Sequence, residues 1–365
     1  SSIPPSMAAQ IIFFTANHPF TPSYARQNGN MSFALTNVPK LFYDYTVGNR
    51  RDYILLENIQ ILVSQIVVMF LLMAVGFVCV RLKYLNNDGA GQLSLILTRI
   101  VAPCVIIDSF QREFDPALGV DLLAAAGCTI IAMGLSMVVS HALFRANGPH
   151  PNFADKRMCV VFTNCGFMAL PLLDALYGSY GLFLGSAFIA VNNVLLWSYG
   201  VSQLCRDTSK AQKIRNALLN PGTVSLAIGL IFFLTPLNLP QIPATCVSYL
   251  ASLNTPVAMI ILGAFLAQCD LRSCFQDKQV YFVTALRLLI LPLITMVIFL
   301  LLPLDSILRN TMLISAAAPV AMACSMFGQV YGTDYLFSTR AVAVSTILSA
   351  VTIPFMITLS GLLGG

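Results

Sequence analysis

The stretch VVFTNCGFMALPLLDALYG, Val160 to Gly178, is apolar enough to lie inside a membrane, yet Asn164, Gly166 and Pro171 interrupt it. In a bilayer core each backbone group without a partner costs several kcal/mol. Helix weakeners at that depth are tolerated only where protein or a cavity receives the freed N–H and C=O groups. The rest of the chain supplies the membrane context. Hydrophobic residues make up 57% of it and charged residues 10%, and the mean hydropathy is +0.80. A soluble domain carries about 25% charged residues. The sequence reads as an all-α polytopic membrane protein.

A crossing helix needs roughly 20 apolar residues. Ten segments meet that demand, at 57–81, 90–111, 117–144, 158–177, 180–204, 218–236, 245–268, 279–303, 308–330 and 335–362. Only GSYG separates the fourth from the fifth, which predicts a tight hairpin. Residues 1–56 form a polar, unpatterned tail whose IIFF run is too short to span and which lacks the features of a signal peptide. It is read as a tail or as a matter of start-site choice, with Met31 a candidate start.

Lys and Arg set the expected orientation. Loops after odd-numbered spans carry Arg81, Lys83, Arg145, Lys156, Arg157, Arg206, Lys210, Lys213, Arg215, Arg272 and Lys278, with Arg340 beside the ninth span. The opposite loops carry Arg112 and Arg309. Both termini are therefore expected outside a cell membrane, with Cys246 reachable from outside and Cys274 from inside. The net charge of +5 is too dispersed for a nucleic-acid partner. Ten cysteines and three histidines form no CxxC pair, HExxH helix or Cys/His metal cluster, and no P-loop, GxGxxG or GxSxG is present. Enzyme chemistry, a metal and a cofactor are not expected.

The halves match at a nearly constant offset. LLMAVGFV (71–78) resembles VSLAIGLI (224–231), pairing Gly76 with Gly229; RIVAPCVII (99–107) resembles SLNTPVAMI (252–260), pairing Pro103 with Pro256. TNCGFMALPLLDALYG (163–178) resembles AAPVAMACSMFGQVYG (317–332), pairing Tyr177 and Gly178 with Tyr331 and Gly332. The offsets are 153, 153 and 154 residues. Five spans per copy (57–205 and 206–365) is an odd number, so the second copy enters from the opposite side. That is a 5+5 inverted repeat, a pattern of secondary transporters whose sites lie where discontinuous helices meet. The fourth span is expected to break at Asn164–Gly166 and the ninth at Pro319, the two crossing near the midplane. Pro319 cannot donate to the helix ladder, which frees a carbonyl one turn earlier.

TNCGFMALPLLDALYG, APCVII (102–107) and NNVLLWSYG (192–200) resemble the auxin efflux carrier family of membrane transporters over residues 57–363. The resemblance implies a ten-helix fold shared with bile-acid symporters and sodium/proton antiporters. It implies a scaffold of spans 1, 2, 6 and 7 and a mobile core of spans 3–5 and 8–10. The family's crossover Asn and Pro map onto Asn164 and Pro319, and its substrates are organic anions such as auxin, malonate or malate.

From these residues the expected function is alternating-access transport of a small mono- or dicarboxylate. Asn164 supplies a directed hydrogen bond or glues the bundle, with Cys165, Gly166 and Ala318 as neighbours at the breaks. Only one of Asn192 and Asn193 can face the core, and Asn193 is carried as the candidate. Arg99 and Arg287 both lie deep in spans, where a cation suggests a function unless it snorkels or binds carbonyls; Arg287 is favoured as the anion attractor. Pro171, Pro103 and Pro256 are read as kinks or gating points. The span-associated acids Asp108, Asp121 and Asp174 fall toward the outer ends, so a central proton or sodium relay is not supported. Coupling to H+ or Na+ stays open as an alternative, as does a non-transporting receptor or scaffold. Expected partners are the anion, the bilayer, the ion if there is one, and a second copy docked through the scaffold helices.

Overall fold

Polar residues between the apolar runs start the helices by accepting from otherwise unpaired first-turn N–H groups. Asn86 accepts from Gly89, Asp115 from Ala117, Asn220 from Thr223, Asp277 from Gln279 and Asp305 from Ile307. Pro116 and Pro221 sit just inside two of these starts, where a missing N–H costs nothing. The computed structural model describes residues 50–112, 115–144, 153–204, 215, 218–235, 239–269 and 274–363. The tail through residue 49 and the loop cations Arg145, Arg206, Lys210, Lys213 and Arg272 lie outside them. Two units divide the chain, Ser1–Leu56 and Glu57–Gly365. The first contributes the opening residues of α1, and all that follows concerns the second.

The helices are α1 (Arg50–Arg81), α2 (Asn87–Ile96), α3 (Ala102–Ser109), α4 (Pro116–Leu143), α5 (Phe153–Val161), α6 (Leu170–Leu195), α7 (Val201–Leu204), α8 (Pro221–Leu234) and α9 (Gln241–Ser252). They continue with α10 (Asn254–Gln268), α11 (Lys278–Ala285), α12 (Leu291–Leu301), α13 (Ser306–Ala317), α14 (Met322–Tyr331) and α15 (Tyr335–Leu363). Among the described residues seven helical runs are long and apolar enough to cross a membrane: Asn58–Arg81, Asp88–Ser109, Pro116–Leu143, Cys165–Leu204, Gln241–Gln268, Lys278–Leu301 and Tyr335–Leu363. The ten segments counted from hydropathy differ in three places. α8 is apolar but only 14 residues long. The segment at 308–330 is two short helices, α13 and α14. The fourth segment from Cys165 onward and the fifth share one helical run.

That run is not straight. Gly178 leaves the helical region (φ 57°, ψ −145°), a conformation open to glycine at little cost. A Cβ on Gly181 would lie 2.7 Å from the carbonyl oxygen of Leu173, and one on Gly185 would lie 3.3 Å from a Leu170 methyl. In a straight helix residues eight apart are separated by about 12 Å along the axis. The chain therefore folds back at Gly178, and the two arms pack through small residues.

Four π-helical turns punctuate the helices: Leu97–Val101, Cys165–Ala169, Leu196–Gly200 and Leu286–Ile290. Three of them are followed by a proline at the second position, namely Pro103, Pro171 and Pro292. In each turn the first residue beyond it donates to the carbonyl five back, as Leu170 N–H does to Cys165. The proline that follows has no N–H to continue that register, so the wider turn absorbs the missing bond. Pro256 follows a different interruption, the junction of α9 and α10 at Leu253.

Helix pairs meet closely at glycines. A Cβ on Gly76 of α1 would collide with the Ile260 carbonyl of α10, and one on Gly263 of α10 with the Met73 carbonyl of α1. At the matching place in the other half, a Cβ on Gly229 of α8 would lie 3.0 Å from the ring of Phe110. Phe110 stacks edge-on with Phe183 and Phe233, at centroid distances of 4.9 and 6.1 Å. Around this interior the outward faces are apolar as well; Leu71, Leu123, Val138, Leu301 and Val351 are all more than 60% exposed. In water such surfaces would drive association, and they suit lipid. Cys246 is exposed, as expected, but Cys274 is buried and is a poor reporter of sidedness.

Gly263→Ala is expected to destabilise the protein by about 1–3 kcal/mol or more, because backbone rather than a flexible side chain blocks the methyl. Gly119→Ala, whose Cβ meets open space, should leave stability close to that of the parent. Melting temperatures of the two variants in detergent test this; equal values would show that α1 and α10 do not depend on the close approach.

Candidate functional site

The opening stretch and its counterpart are both interrupted, and the interruptions bind each other. α5 ends at Val161, residues 162–164 leave the helix, and the π turn begins at Cys165. α13 ends at Ala317, residues 318–321 are extended, and α14 begins at Met322. Thr163 and Val320 form an antiparallel bridge. The Asn164 N–H donates to the Pro319 carbonyl at 2.8 Å, and the Ala321 N–H donates to the Phe162 carbonyl at 3.1 Å. The Val320 N–H is received by Ser345 Oγ of α15 at 3.1 Å. Backbone that would be orphaned in an apolar surrounding is thus paired with protein.

The carbonyl ends of the interrupted helices are held by Arg287. Its side chain is 2% exposed and reaches from the π turn between α11 and α12. Nε donates to Ala318 O at 3.1 Å, Nη1 to Val160 O at 3.2 Å, and Nη2 to Ala316 O. Val160 closes α5, while Ala316 and Ala318 close α13. Last-turn carbonyls carry the negative end of a helix dipole, and a guanidinium fork can bridge carbonyls from two helices where an ammonium could not. Arg287, expected as an anion attractor, thus sits on the backbone at both breaks. Arg99 differs more sharply from expectation: it is exposed on the outer face of the Leu97–Val101 turn and does not enter the interior.

On the other side of each break, new helix starts begin. Asn164 is 5% exposed, and its Nδ2 is buried without a hydrogen-bond partner among the described residues. Cys165 is buried beside it. Gly166 is not a packing glycine: nothing lies within 4 Å of where a Cβ would stand. Its carbonyl would be the next acceptor in the π register, but the corresponding donor position is Pro171. Asn254 Nδ2 of α10 takes that carbonyl instead, at 3.4 Å. Pro171 therefore opens a backbone oxygen to a neighbouring helix. Asn193 lies elsewhere, its amide packed against Gly222 at the start of α8, and Asn192 is the more deeply buried of the two.

A narrow crevice follows α10, α14 and α15, beginning beside Met322 at the start of α14. Leu262 and Phe265 form one wall, Met322 and Val342 the other, and Thr346 contributes a buried hydroxyl. Beyond α5's start, before the sequence-predicted fourth span, Asp155 is buried and accepts from Thr333 Oγ1 at 2.7 Å and Asp334 N–H at 3.1 Å. Burial pushes its carboxyl above the ordinary carboxylate range, against the pull of those two bonds. The outer acids stand apart from the break: Asp121 accepts from Tyr180 at 2.7 Å and Asp174 is exposed.

Apolar outer faces, long apolar helices and interrupted helices paired inside them define a multi-pass membrane protein. A family model for membrane transport proteins matches residues 61–216 and 205–357, and the chain belongs to that family, the auxin efflux carriers. An uncharacterized transporter of the archaeon Methanothermobacter thermautotrophicus is 25% identical over 286 residues, which cover 78% of this chain and 93% of that relative.

Sequence reasoning missed Asn254, whose signal was an amide in the polar SLNT run just before Pro256. Arg287→Gln should lose bonds to two helix ends at about 1.5–3 kcal/mol each and lower the melting temperature of the ligand-free protein. An unchanged melting temperature would remove the assignment of Arg287 to the helix ends.

Proposed function

We propose that the protein is a secondary transporter that moves a small organic anion, a mono- or dicarboxylate, by alternating access. The observation that carries the reading is the pair of interruptions bonded to each other beside the buried, unpartnered amide of Asn164. N–H groups at the helix starts after each break favour a carboxylate. Arg287 binds the opposing carbonyl ends and so masks the negative poles that would repel it. The Asn164 amide supplies a directed bond, Gly166 leaves room above the turn, and the crevice along α10 offers a route to it.

In this reading spans 4 and 9 are the interrupted pair and cross at the Thr163–Val320 bridge, completing ten spans in a 5+5 inverted repeat. Two features support it: the fold-back at Gly178, and the matching glycine contacts of α1 with α10 and of α8 with the end of α3. Spans 1, 2, 6 and 7 act as scaffold, and the remainder moves against them. The crevice lies on that boundary, lined by scaffold residues of α10 and core residues of α14 and α15.

Asn164→Ala tests the site. A hydrogen bond to a charged group contributes about 1.5–3 kcal/mol, so affinity should fall roughly 10- to 150-fold with little change in the ligand-free melting temperature. Thermal-shift titrations with malonate, malate and indole-3-acetate measure both quantities on one preparation. Lost stability with unchanged affinity would make Asn164 a packing residue. Orientation is tested by impermeant thiol labelling of intact cells: Cys246 should react from outside, and Tyr84→Cys, at an 81% exposed position, only after permeabilisation. Reaction of both from one side would overturn the inverted repeat.

A further inference from the structure

Among the described residues, several buried polar atoms at or beside the break have no hydrogen-bond partner, the Thr163 hydroxyl included, and two amide atoms are of opposite kind. One is Nδ2 of Asn164, a donor. The other is Oδ1 of Asn254, an acceptor on a side chain that is 5% exposed. The orientation of the Asn254 amide follows from its neighbour. Nδ2 meets the Gly166 carbonyl, and exchanging nitrogen for oxygen would set two acceptors against each other. Oδ1 is therefore an acceptor by necessity. Both asparagines address the same turn of backbone, Asn164 from its start and Asn254 through the Gly166 carbonyl, and the Cβ side of Gly166 is open space.

A buried acceptor left unmade is costly, and a site containing one discriminates strongly against ligands that cannot fill it. A carboxylate cannot fill this one, because it also is an acceptor. We propose that Asn254 is a specificity-determining residue that selects organic anions carrying a hydroxyl or N–H donor near the carboxylate. The carboxylate engages Asn164 and the helix starts, and the ligand's donor engages Asn254 Oδ1. The repeat gives Asn254 no twin, since Val101 stands at the matching place 153 residues earlier. The donor requirement therefore falls on one side of the site. This inference rests on the organic-anion reading above and adds the chemistry of the substrate's second group.

The test uses matched acids on the purified full chain: lactate with propionate, malate with succinate, and indole-3-acetate with benzothiophene-3-acetate. Affinities are read by thermal-shift titration of the parent, Asn254→Ala and Asn254→Ser. In the parent, the donor-bearing member of at least one pair should bind about 10-fold or more tightly than its partner. Asn254→Ala should erase that ratio by weakening the donor-bearing acid, with the affinity for its partner retained. Asn254→Ser keeps a neutral hydroxyl that can accept and should still prefer the donor-bearing acid; it also keeps the inference testable if the alanine variant does not fold. Binding without a preference in the parent, or a ratio that survives Asn254→Ala, overturns this inference alone. Binding of none of the six acids by the parent overturns the organic-anion reading and this inference with it.

Discussion

The arrangement depends on one buried guanidinium. Two helices stop inside an apolar interior, and each stop leaves carbonyls that would be intolerable against lipid. Arg287 gathers three of them, from Val160, Ala316 and Ala318, with a geometry that only a fork of donors can satisfy. The exchange works in both directions. A cation at this depth is itself expensive, and the partial negative charge of two helix ends is what makes it tolerable. Neither the breaks nor the arginine is sustainable alone.

Once the carbonyls are bound, the remaining polar inventory at the break is short. The non-helical segments satisfy each other through the Asn164–Pro319 and Ala321–Phe162 bonds, and Ser345 takes the Val320 N–H. What is left over includes the Thr163 hydroxyl in the interruption itself, an asparagine amide at its end and an asparagine oxygen on α10. Buried polar groups without partners are uncommon, and those that persist call for a reason. Here Asn164 opens the turn that contains Gly166, and Asn254 bonds the Gly166 carbonyl, so both address one stretch of backbone.

Much of this was legible in the sequence, and the exceptions have physical causes. Apolar runs marked the all-helical membrane class, though among the described residues seven rather than ten runs are long and apolar enough to cross. The Asn/Gly/Pro interruptions marked both breaks to within a few residues. Depth alone singled out Arg99 and Arg287 equally, because counting residues from a span's end says nothing about which way a side chain faces. Arg99 turned outward, whereas Arg287 found carbonyls on two helices far away in sequence, contacts that no local pattern encodes. The π turns were missed because hydropathy has no feature at a single inserted residue; only the prolines that follow them hint at the register change. Asn254 escaped because a short polar run before a proline looks like an ordinary kink until its neighbour, the Gly166 carbonyl, is known.

Pseudo-symmetry in sequence has been broken where polarity matters. At the offset that relates the halves, Asn254 corresponds to Val101, Asn164 to Ala318, and Arg287 falls opposite Gly134. Glycines and prolines, which shape backbone, are kept in both copies: Gly76 with Gly229, and Pro103 with Pro256. In the alternating-access reading proposed above, symmetric shape is useful because two mirrored states then bury similar surfaces at similar cost. Symmetric polarity would not be. A second arginine at the place of Gly134 would compete for carbonyls that one guanidinium already fills, and like charges at short range in an apolar medium repel strongly. Duplicate asparagines would leave further buried groups to be satisfied by one small ligand. A fold can double its backbone and still hold a single site, provided that the polar residues are placed once.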